Sequence, residues 1–289
     1  MDHQGLDVDS DAAAAAFSVL SDDTRVEILL AFPQSESITF ADLQRATDIE
    51  DSGRFNYHLG KLVDDFVVKT DDGYRLSSVG AKVVDVLLDA RFGPSSPPSI
   101  DEPTGVACLN CDGQLHVFYE DGDMRLACQA CDAVVQYAFF PPRGRTTRDV
   151  DETLDAYSQQ VWRDVTLAHR GVCPHCRGRM RSELEVDPEW SVEYAATSRC
   201  GDCETVYSSP VGLRLLADPD IVSFLATHGE SVDDRRFWEF NFVLDQDAIS
   251  VVSESPPRYR LTITRPREQL EVTLDETAHV VDTARRRLR

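Results

Sequence analysis

Apolar residues in the first 92 positions recur at helical spacing and are interrupted by turns. Within residues 21–32, Val26, Leu29 and Leu30 form an i, i+3, i+4 stripe that Pro33 ends, which is typical of a short amphipathic helix. The same kind of pattern predicts further helices over residues 12–20, 40–47, 52–64 and 78–90.

The helix over residues 52–64 has two distinct faces. Ser52 is expected to cap it, and Phe55, Leu59, Leu62 and Val63 fall on one side at about 100° per residue. The other side carries Arg54, Tyr57 and Lys61 at i, i+3 and i+7. We therefore expect an amphipathic helix whose outward face is cationic and aromatic.

Two short runs near position 70 predict strands. Residues 67–70 and 74–77 flank Asp71-Asp72-Gly73, a turn sequence typical of a β-hairpin. Helix, helix, turn, helix and hairpin in this order constitute a winged helix-turn-helix. This is the fold expected for residues 1–92.

The pattern changes after residue 92. Residues 93–104 hold four prolines and three serines, which favours an extended linker. A long helix is predicted over 149–169, and strands over 237–243, 249–253, 259–264 and 270–274, with a final helix over 277–288. The chain is thus expected to be a multidomain α+β protein whose C-terminal α+β module, residues 231–289, has no readable function.

The net charge of the chain excludes one class of function. There are 29 Lys and Arg residues against 51 Asp and Glu, a net charge of −22, which excludes a globally basic nucleic-acid coat protein. Only three of the basic residues are lysines: Lys61, Lys69 and Lys82. Abundant carboxylates keep a protein hydrated in concentrated salt, so the composition indicates a halophile.

No apolar stretch reaches the roughly 18 residues of a membrane span, and the first residues are acidic, unlike a signal peptide. A cytoplasmic protein without membrane contact is expected. Cysteines in that compartment are reduced, so metal binding explains them better than disulfides.

All eight cysteines occur as C-x-x-C pairs, with 16 residues between the first two pairs and 23 between the last two. The pairs are Cys108 and Cys111, Cys128 and Cys131, Cys173 and Cys176, and Cys200 and Cys203. Four thiolates are the ligand set of a closed structural zinc site, and two C-x-x-C turns joined by a hairpin supply it. We predict two zinc-ribbon-like units with one structural Zn²⁺ each, at 105–141 and, together with the long helix, at 142–230. Redox chemistry of single C-x-x-C pairs is the competing interpretation.

The run Leu20-Ser-Asp-Asp-Thr-Arg-Val-Glu-Ile-Leu, followed by Phe55-Asn-Tyr-His-Leu-Gly-Lys-Leu-Val, resembles ArsR-type winged-helix transcriptional regulators, specifically their haloarchaeal relatives. The resemblance covers residues 12–90. It implies a homodimer that binds double-stranded DNA, with the hairpin as the wing and five residues near the major groove. These residues are Arg54, Asn56, Tyr57, His58 and Lys61. Metal-sensing members carry cysteines on this domain, whereas residues 1–92 contain none.

The charge pattern supports DNA binding independently of the resemblance. Residues 52–63 include Arg54 and Lys61 and no acid, in an otherwise acidic domain. DNA affinity requires only local phosphate neutralisation and base-edge donors. The alternative is a merely solvated face. A second acid-free window, residues 165–182, contains Arg170, Arg177, Arg179 and Arg181 and is a candidate contact to phosphate or an acidic partner.

Two functions remain open at this stage. The first is a DNA-binding transcriptional regulator whose zinc ribbons are structural or bind a partner. The second is an adaptor that docks on the basal transcription machinery without reading DNA sequence. No Walker loop, G-x-S-x-G, H-E-x-x-H or open three-ligand metal site is present in the sequence, so an enzyme is not expected.

Overall fold

The computed structural model describes residues 9–34, 36–89 and 97–288, which fall into two units. One unit ends at Pro94 and the other begins at Ser95, inside the predicted linker 93–104. Residues 93–96 of that linker lie outside the described residues.

The described part of the N-terminal unit consists of five helices and a β-hairpin. These are α1 (Ser10–Val19), α2 (Asp23–Leu30), α3 (Phe40–Arg45), α4 (Ser52–Leu62), β1 (Val67–Thr70), β2 (Gly73–Leu76) and α5 (Ser78–Leu88). The elements lie where apolar spacing predicts them, with slightly different ends. One prediction was wrong: Asp51, not Ser52, caps α4, and its Oδ1 accepts hydrogen bonds from the backbone N–H groups of Gly53 and Arg54 at 2.7 and 3.0 Å.

The inward faces of these elements form one apolar core. It includes Ile28, Leu29, Leu43, Phe55, Leu59, Leu62, Val67, Leu76 and Val84. The hairpin is joined by a third short segment, because Ile38 and Tyr74 exchange backbone hydrogen bonds of 2.8 and 2.9 Å. Gly73 permits this approach: its φ is 135°, and a Cβ there would lie 2.3 Å from the carbonyl oxygen of Ile38.

The C-terminal unit begins with a four-stranded antiparallel sheet followed by two helices. The strands are β3 (Ile100–Ala107), β4 (Gln114–Glu120), β5 (Asp123–Cys128) and β6 (Val134–Phe139), paired in chain order, and the helices are α6 (Pro142–Thr146) and α7 (Val150–His169). Helix α7 is close to the predicted 149–169 helix. A capping box starts it, in which the side chains of Asp149 and Glu152 accept each other's backbone N–H at 2.9 and 3.0 Å.

A second and a third antiparallel sheet complete this unit. The second contains β7 (Met180–Val186), β8 (Tyr194–Cys200) and β9 (Val206–Pro210). Three helices and a 3₁₀ turn follow: α8 (Val211–Leu215), α9 (Pro219–Thr227), the turn Phe237–Glu239, and α10 (Asn241–Leu244). The third sheet contains β10 (Ile249–Glu254), β11 (Pro257–Arg265), β12 (Glu268–Leu274) and β13 (Val280–Arg287).

One apolar core spans the three predicted modules 105–141, 142–230 and 231–289. It draws buried residues from all three sheets and from α7 to α10, among them Leu115, Leu126, Tyr157, Val161, Leu213, Phe224, Trp238, Ile263 and Val272. The modules therefore share a core instead of each having its own.

Three predicted elements differ in the structure. Residues 237–243, predicted as a strand, form the 3₁₀ turn and α10. Exposed Glu239 and Asn241 alternate with buried aromatic residues as in a strand, but packing of these aromatic side chains into the core selects the turn and the short helix. Residues 100–104 of the predicted linker belong to β3. This strand lies at the edge of its sheet, where Pro103 is tolerated.

The predicted final helix over 277–288 is strand β13. Its residues pair with β12 from Leu274 opposite Val280 to Glu268 opposite Arg287. β-Branched Val280, Val281 and Thr283 favour a strand, and Glu271 forms an ion pair with Arg286 at 3.0 Å. Across the described ranges, no helix combines the length and apolar character needed to span a membrane.

Candidate metal centres and the exposed face of helix α4

The eight cysteines form two groups, each with its four sulfur atoms within 4.8 Å of one another. Cys108, Cys111, Cys128 and Cys131 form the first group, and Cys173, Cys176, Cys200 and Cys203 form the second. These are the two groupings expected from the spacing. Each group could hold a metal ion.

Sulfur separations test whether a tetrahedral ion fits. Cys108 and Cys131 are 3.7 Å apart and Cys111 and Cys128 3.5 Å, and the corresponding pairs in the second group are also separated by 3.7 and 3.5 Å. Four ligands about 2.3 Å from a central ion would be separated by ~3.8 Å. A disulfide requires about 2.05 Å. Both groups therefore suit a tetrahedral metal.

The four C-x-x-C turns repeat one backbone hydrogen bond. The N–H of the first cysteine of each turn donates to the carbonyl oxygen five residues later, from Cys108 to Gly113, Cys128 to Ala133, Cys173 to Gly178, and Cys200 to Thr205, at 2.8 to 3.0 Å. The residue before the acceptor has positive φ in three of the turns: Asp132, Arg177 and Glu204. This common geometry supports an internal duplication.

Backbone N–H groups also point at the sulfurs. Gly113 and Ala130 donate to Cys111 and Cys128 at 3.4 and 3.3 Å, and Gly178 donates to Cys176 at 3.3 Å. Such donors stabilise thiolates, the form that binds metal.

The thiol pKa values diverge within each group. At Cys111 and Cys176 the backbone donors are outweighed by the neighbouring cysteines and by burial, which raise the pKa of each to about 12, whereas two other thiols show the stabilising effect. The Thr205 hydroxyl and N–H lower the pKa of Cys203 to about 6. Burial acts to raise the pKa of Cys128, but the N–H groups of Ala130 and Cys131 outweigh it and lower that pKa to about 6.

The two groups differ in what surrounds them. Cys128 belongs to the main core, with Cys108 and Cys111 packed against it. In the second group, Cys173 and Cys200 form a small separate cluster with Ala168 and Met180, against which Cys203 and Tyr207 pack.

Helix α4 presents the predicted DNA-contacting residues. Arg54, Asn56, Tyr57 and Lys61 are exposed, and the Lys61 Nζ lies 5.7 Å from the centre of the Tyr57 ring. The Arg54 guanidinium donates to the Oγ1 of Thr24 in α2 at 2.8 Å, which fixes its position.

His58 is placed differently from its neighbours. Its ring is half-buried, with Nδ1 3.4 Å from the Asp22 Oδ1. Partial burial acts to raise the pKa of Asp22, but His58 and Arg25 outweigh this effect and lower it. His58 thus turns from the exposed face toward α2, and four of the five predicted residues share the outward side.

Comparison with known protein families gives two matches. A family model described as "Domain of unknown function (DUF7351)" matches residues 105–280, more than half of the chain. The chain belongs to the DUF7351 family. A second model, "Domain of unknown function (DUF7347)", matches residues 13–87. No curated protein and no solved structure matches the chain.

The DUF7351 match contains all eight cysteines and extends across the shared core to the start of β13. The second match contains α4 and the hairpin. The boundary between the matches therefore separates the exposed cationic face from the two candidate metal centres.

Sequence reasoning missed two features of the DUF7351 region. The first feature is the close packing at Gly113 and Gly178, each five residues after the first cysteine of its group. A Cβ at Gly113 would lie 2.8 Å from the Ala130 Cβ, and a Cβ at Gly178 would lie 2.0 Å from the Asp202 Oδ2. Their equivalent positions after C-x-x-C could have signalled this role. The second feature, a buried polar cluster around His169, has no motif that could have revealed it.

Proposed function

We propose that the N-terminal unit is a winged helix-turn-helix domain that binds double-stranded DNA and that the protein is a transcriptional regulator. The observation that carries the proposal is the outward face of α4, which exposes Arg54, Asn56, Tyr57 and Lys61 without any carboxylate between Ser52 and Leu62.

The arrangement around α4 supports this assignment. Helix α3 ends at Arg45 and α4 begins at Ser52, so the two helices are joined by a short turn, as in helix-turn-helix domains. The β1–β2 hairpin follows α4 and, with Ile38, has the form of a wing. A helix of this length can enter the major groove, where arginine, lysine and asparagine donate to base edges.

The chain's charge of −22 is compatible with this function because phosphate contacts act locally. At high salt the counterion-release contribution weakens, so base contacts and burial carry more of the affinity. The Arg54 guanidinium, already held by Thr24, loses less freedom on binding than a free side chain.

We also propose that two copies associate through α1 and α5. No residue of α1 is fully buried, and its Phe17 is 70% exposed. Val79 and Val86 of α5 are likewise exposed. Light scattering should report a dimer for the wild type and a monomer for Phe17→Ser combined with Val86→Ser. A monomeric wild type would remove this part of the proposal.

For the metal, we propose structural Zn²⁺ in both cysteine groups. Four sulfur ligands leave no position for water or substrate, and their separations suit zinc. Bound zinc would supply a crosslink that holds each pair of turns together. Native mass spectrometry should find two zinc ions per chain, and a different metal or none would contradict the proposal.

The DNA-binding proposal is tested by selecting duplexes from a randomised library with the full-length, metal-loaded protein. The selected duplex and a scrambled one are then compared by gel shift in KCl. Lys61→Ala and Arg54→Ala should each weaken binding to the selected duplex by at least about tenfold, since they remove a phosphate or base contact.

Arg143→Ala is the matched control, because Arg143 is an exposed arginine on α6 of the other unit, outside α4 and outside the proposed dimer helices. It should bind as the wild type does, and thermal unfolding should report whether each variant is folded. Absence of any enriched sequence, or unchanged binding by the folded Lys61→Ala variant, would contradict the assignment and favour an adaptor that does not read sequence.

A further inference from the structure

A polar cluster lies in the C-terminal unit where the end of α7, helix α8 and the turn before β13 meet. His169 is the last residue of α7 and is only 7% exposed. Its ring centre is 6.0 Å from that of His279, which is exposed and so marks the side open to solvent. Arg214 of α8 completes the cluster and is partly buried.

His169 and Arg214 lack the partners that buried polar atoms normally have, whereas the Nδ1 of His279 lies 2.7 Å from the Thr277 hydroxyl. Both ring nitrogens of His169 and the Nε of Arg214 are buried without a hydrogen-bond partner. Within the described ranges, no carboxylate oxygen lies within 4.0 Å of the Arg214 guanidinium. A buried cation without a counter-charge is costly, and native proteins normally compensate it.

The carboxylates nearest to Arg214 are hydrogen-bonded to other groups or act on it only at longer range. Asp275 Oδ1 accepts from the Thr277 N–H and hydroxyl and from the His279 N–H at 2.7 to 2.9 Å. Asp275 and Asp218 act on Arg214 only through longer-range attraction, which Arg170 opposes. The Arg214 guanidinium therefore has no carboxylate in direct contact within the described ranges.

The surroundings disfavour positive charge on both side chains. Burial, together with the charges of Arg214 and His279, lowers the pKa of His169 to about 3, although Asp275 acts in the opposite direction. Burial also lowers the pKa of Arg214. An anion would reverse each of these effects, because opposite charge favours the protonated form.

We propose that Arg214, His169 and His279 form a binding site for a small oxyanion, a carboxylate or phosphate group. The guanidinium offers parallel N–H donors that match two oxygens of such a group, and the imidazoles offer one donor each. Neither the cysteine groups nor the α4 face uses these residues. The site is separate from the proposed DNA-binding function, and its test does not involve DNA.

The test uses the full-length, metal-loaded protein and two probes, inorganic phosphate and acetate, titrated at constant ionic strength against chloride. Calorimetry should show saturable binding of at least one probe, and the ring signals of His169 should move in histidine-selective NMR spectra. Arg214→Gln should weaken that binding at least about tenfold. Binding of only one probe identifies whether phosphate or carboxylate is the better match, and either result supports the site.

Arg143→Gln is the control, since Arg143 is exposed on α6, outside the cluster and outside the acid-free window 165–182, and this variant should bind as the wild type does. His279→Gln tests the open side of the cluster at an exposed position, where loss of folding is not expected. Without added oxyanion, Arg214→Gln should not lower the melting temperature, because it removes an uncompensated cation. Saturation by neither probe, equal binding by the wild type and Arg214→Gln, or a lowered melting temperature of the unliganded variant would overturn the proposal.

Discussion

The two four-cysteine groups have the same turns and sulfur separations but different surroundings. The first adjoins a four-stranded sheet with Leu115, Val117 and Leu126 fully buried, and Cys128 is part of that core. The second is enclosed by a small cluster around Met180. The metal therefore contributes differently at the two groups. In the first group it adds to the main core at the sulfurs themselves. In the second group it holds the strand ends next to the small cluster, while Leu184, Ala195 and Ala196 further along β7 and β8 belong to the main core.

The largest expected effect of metal removal is at the second group. Structural zinc contributes ~10–16 kcal/mol in zinc-finger peptides, which exceeds what a small apolar cluster supplies. Chelation of the folded protein should therefore unfold the turns at 173–178 and 200–205 and the adjoining ends of β7, β8 and β9. Hydrogen exchange measured by mass spectrometry should show protection lost at these strand ends, and retained protection there would show that they do not depend on the metal.

At the first group, the same treatment should have a more local effect. Burial of each large apolar side chain contributes roughly 1.5–3 kcal/mol, and β4 and β5 contribute several such residues. Their amides should stay protected while those of the turns at 108–113 and 128–133 exchange. Equal loss of protection in both sheets would remove the distinction between the groups.

A substitution in the apolar core of the first sheet should destabilise the protein even when its metal is bound. Leu126→Ala is expected to destabilise the metal-loaded protein by about 2–5 kcal/mol, because Leu126 is fully buried in the first sheet. Denaturant unfolding followed by tryptophan fluorescence measures this change. Val134→Ala, at an exposed position of the same sheet, should stay within about 0.5 kcal/mol of the wild type.

The two equivalent glycines provide the smallest and most direct comparison. In Gly113→Ala, the new methyl group meets the Ala130 Cβ and, at 3.0 Å, the Cys128 sulfur, so overpacking of about 1–3 kcal/mol is expected. In Gly178→Ala, the new methyl group meets the Asp202 carboxylate, which can rotate away. This rotation breaks the 3.2 Å hydrogen bond that the carboxylate accepts from the Arg179 N–H, so a destabilisation of about 1 kcal/mol is expected.

The rate of zinc transfer to a colorimetric chelator measures both variants. Relative to the wild type, the rate of zinc release should increase more in Gly113→Ala than in Gly178→Ala. The reverse order would indicate that the close contact at the first group is relieved by backbone movement.

Local patterns predicted much of this structure. Apolar spacing located the five N-terminal helices, and the C-x-x-C spacing alone paired the cysteines correctly, since each ligand pair is contiguous and the gap between pairs is a hairpin. The capping residue of α4 was misplaced by one position because Asp51 and Ser52 can both cap a helix.

Features that depend on tertiary packing were not predictable. In residues 237–244, exposed Glu239 and Asn241 alternate with buried aromatic residues, a period of two that favours a strand although the folded chain forms a turn and α10 there. The sequence predicts a helix where β13 lies because Arg285, Arg286 and Arg287 carry no strand signal of their own. The ion pair of Arg286 with Glu271 exists only once β12 lies alongside. The cluster of His169, Arg214 and His279 draws on three separate segments, so only the folded chain brings it together.

No cysteine is shared between the two groups, and this separation has a consequence for how the protein would respond to scarcity of metal. Each ion can leave without taking a ligand from the other, so depletion would pass through a species that retains a single ion. With unequal dependence on that ion, the chain would lose order in stages, beginning at the turns of the second group and the adjoining ends of β7 to β9, and the long helix α7 would still be anchored at its capped end.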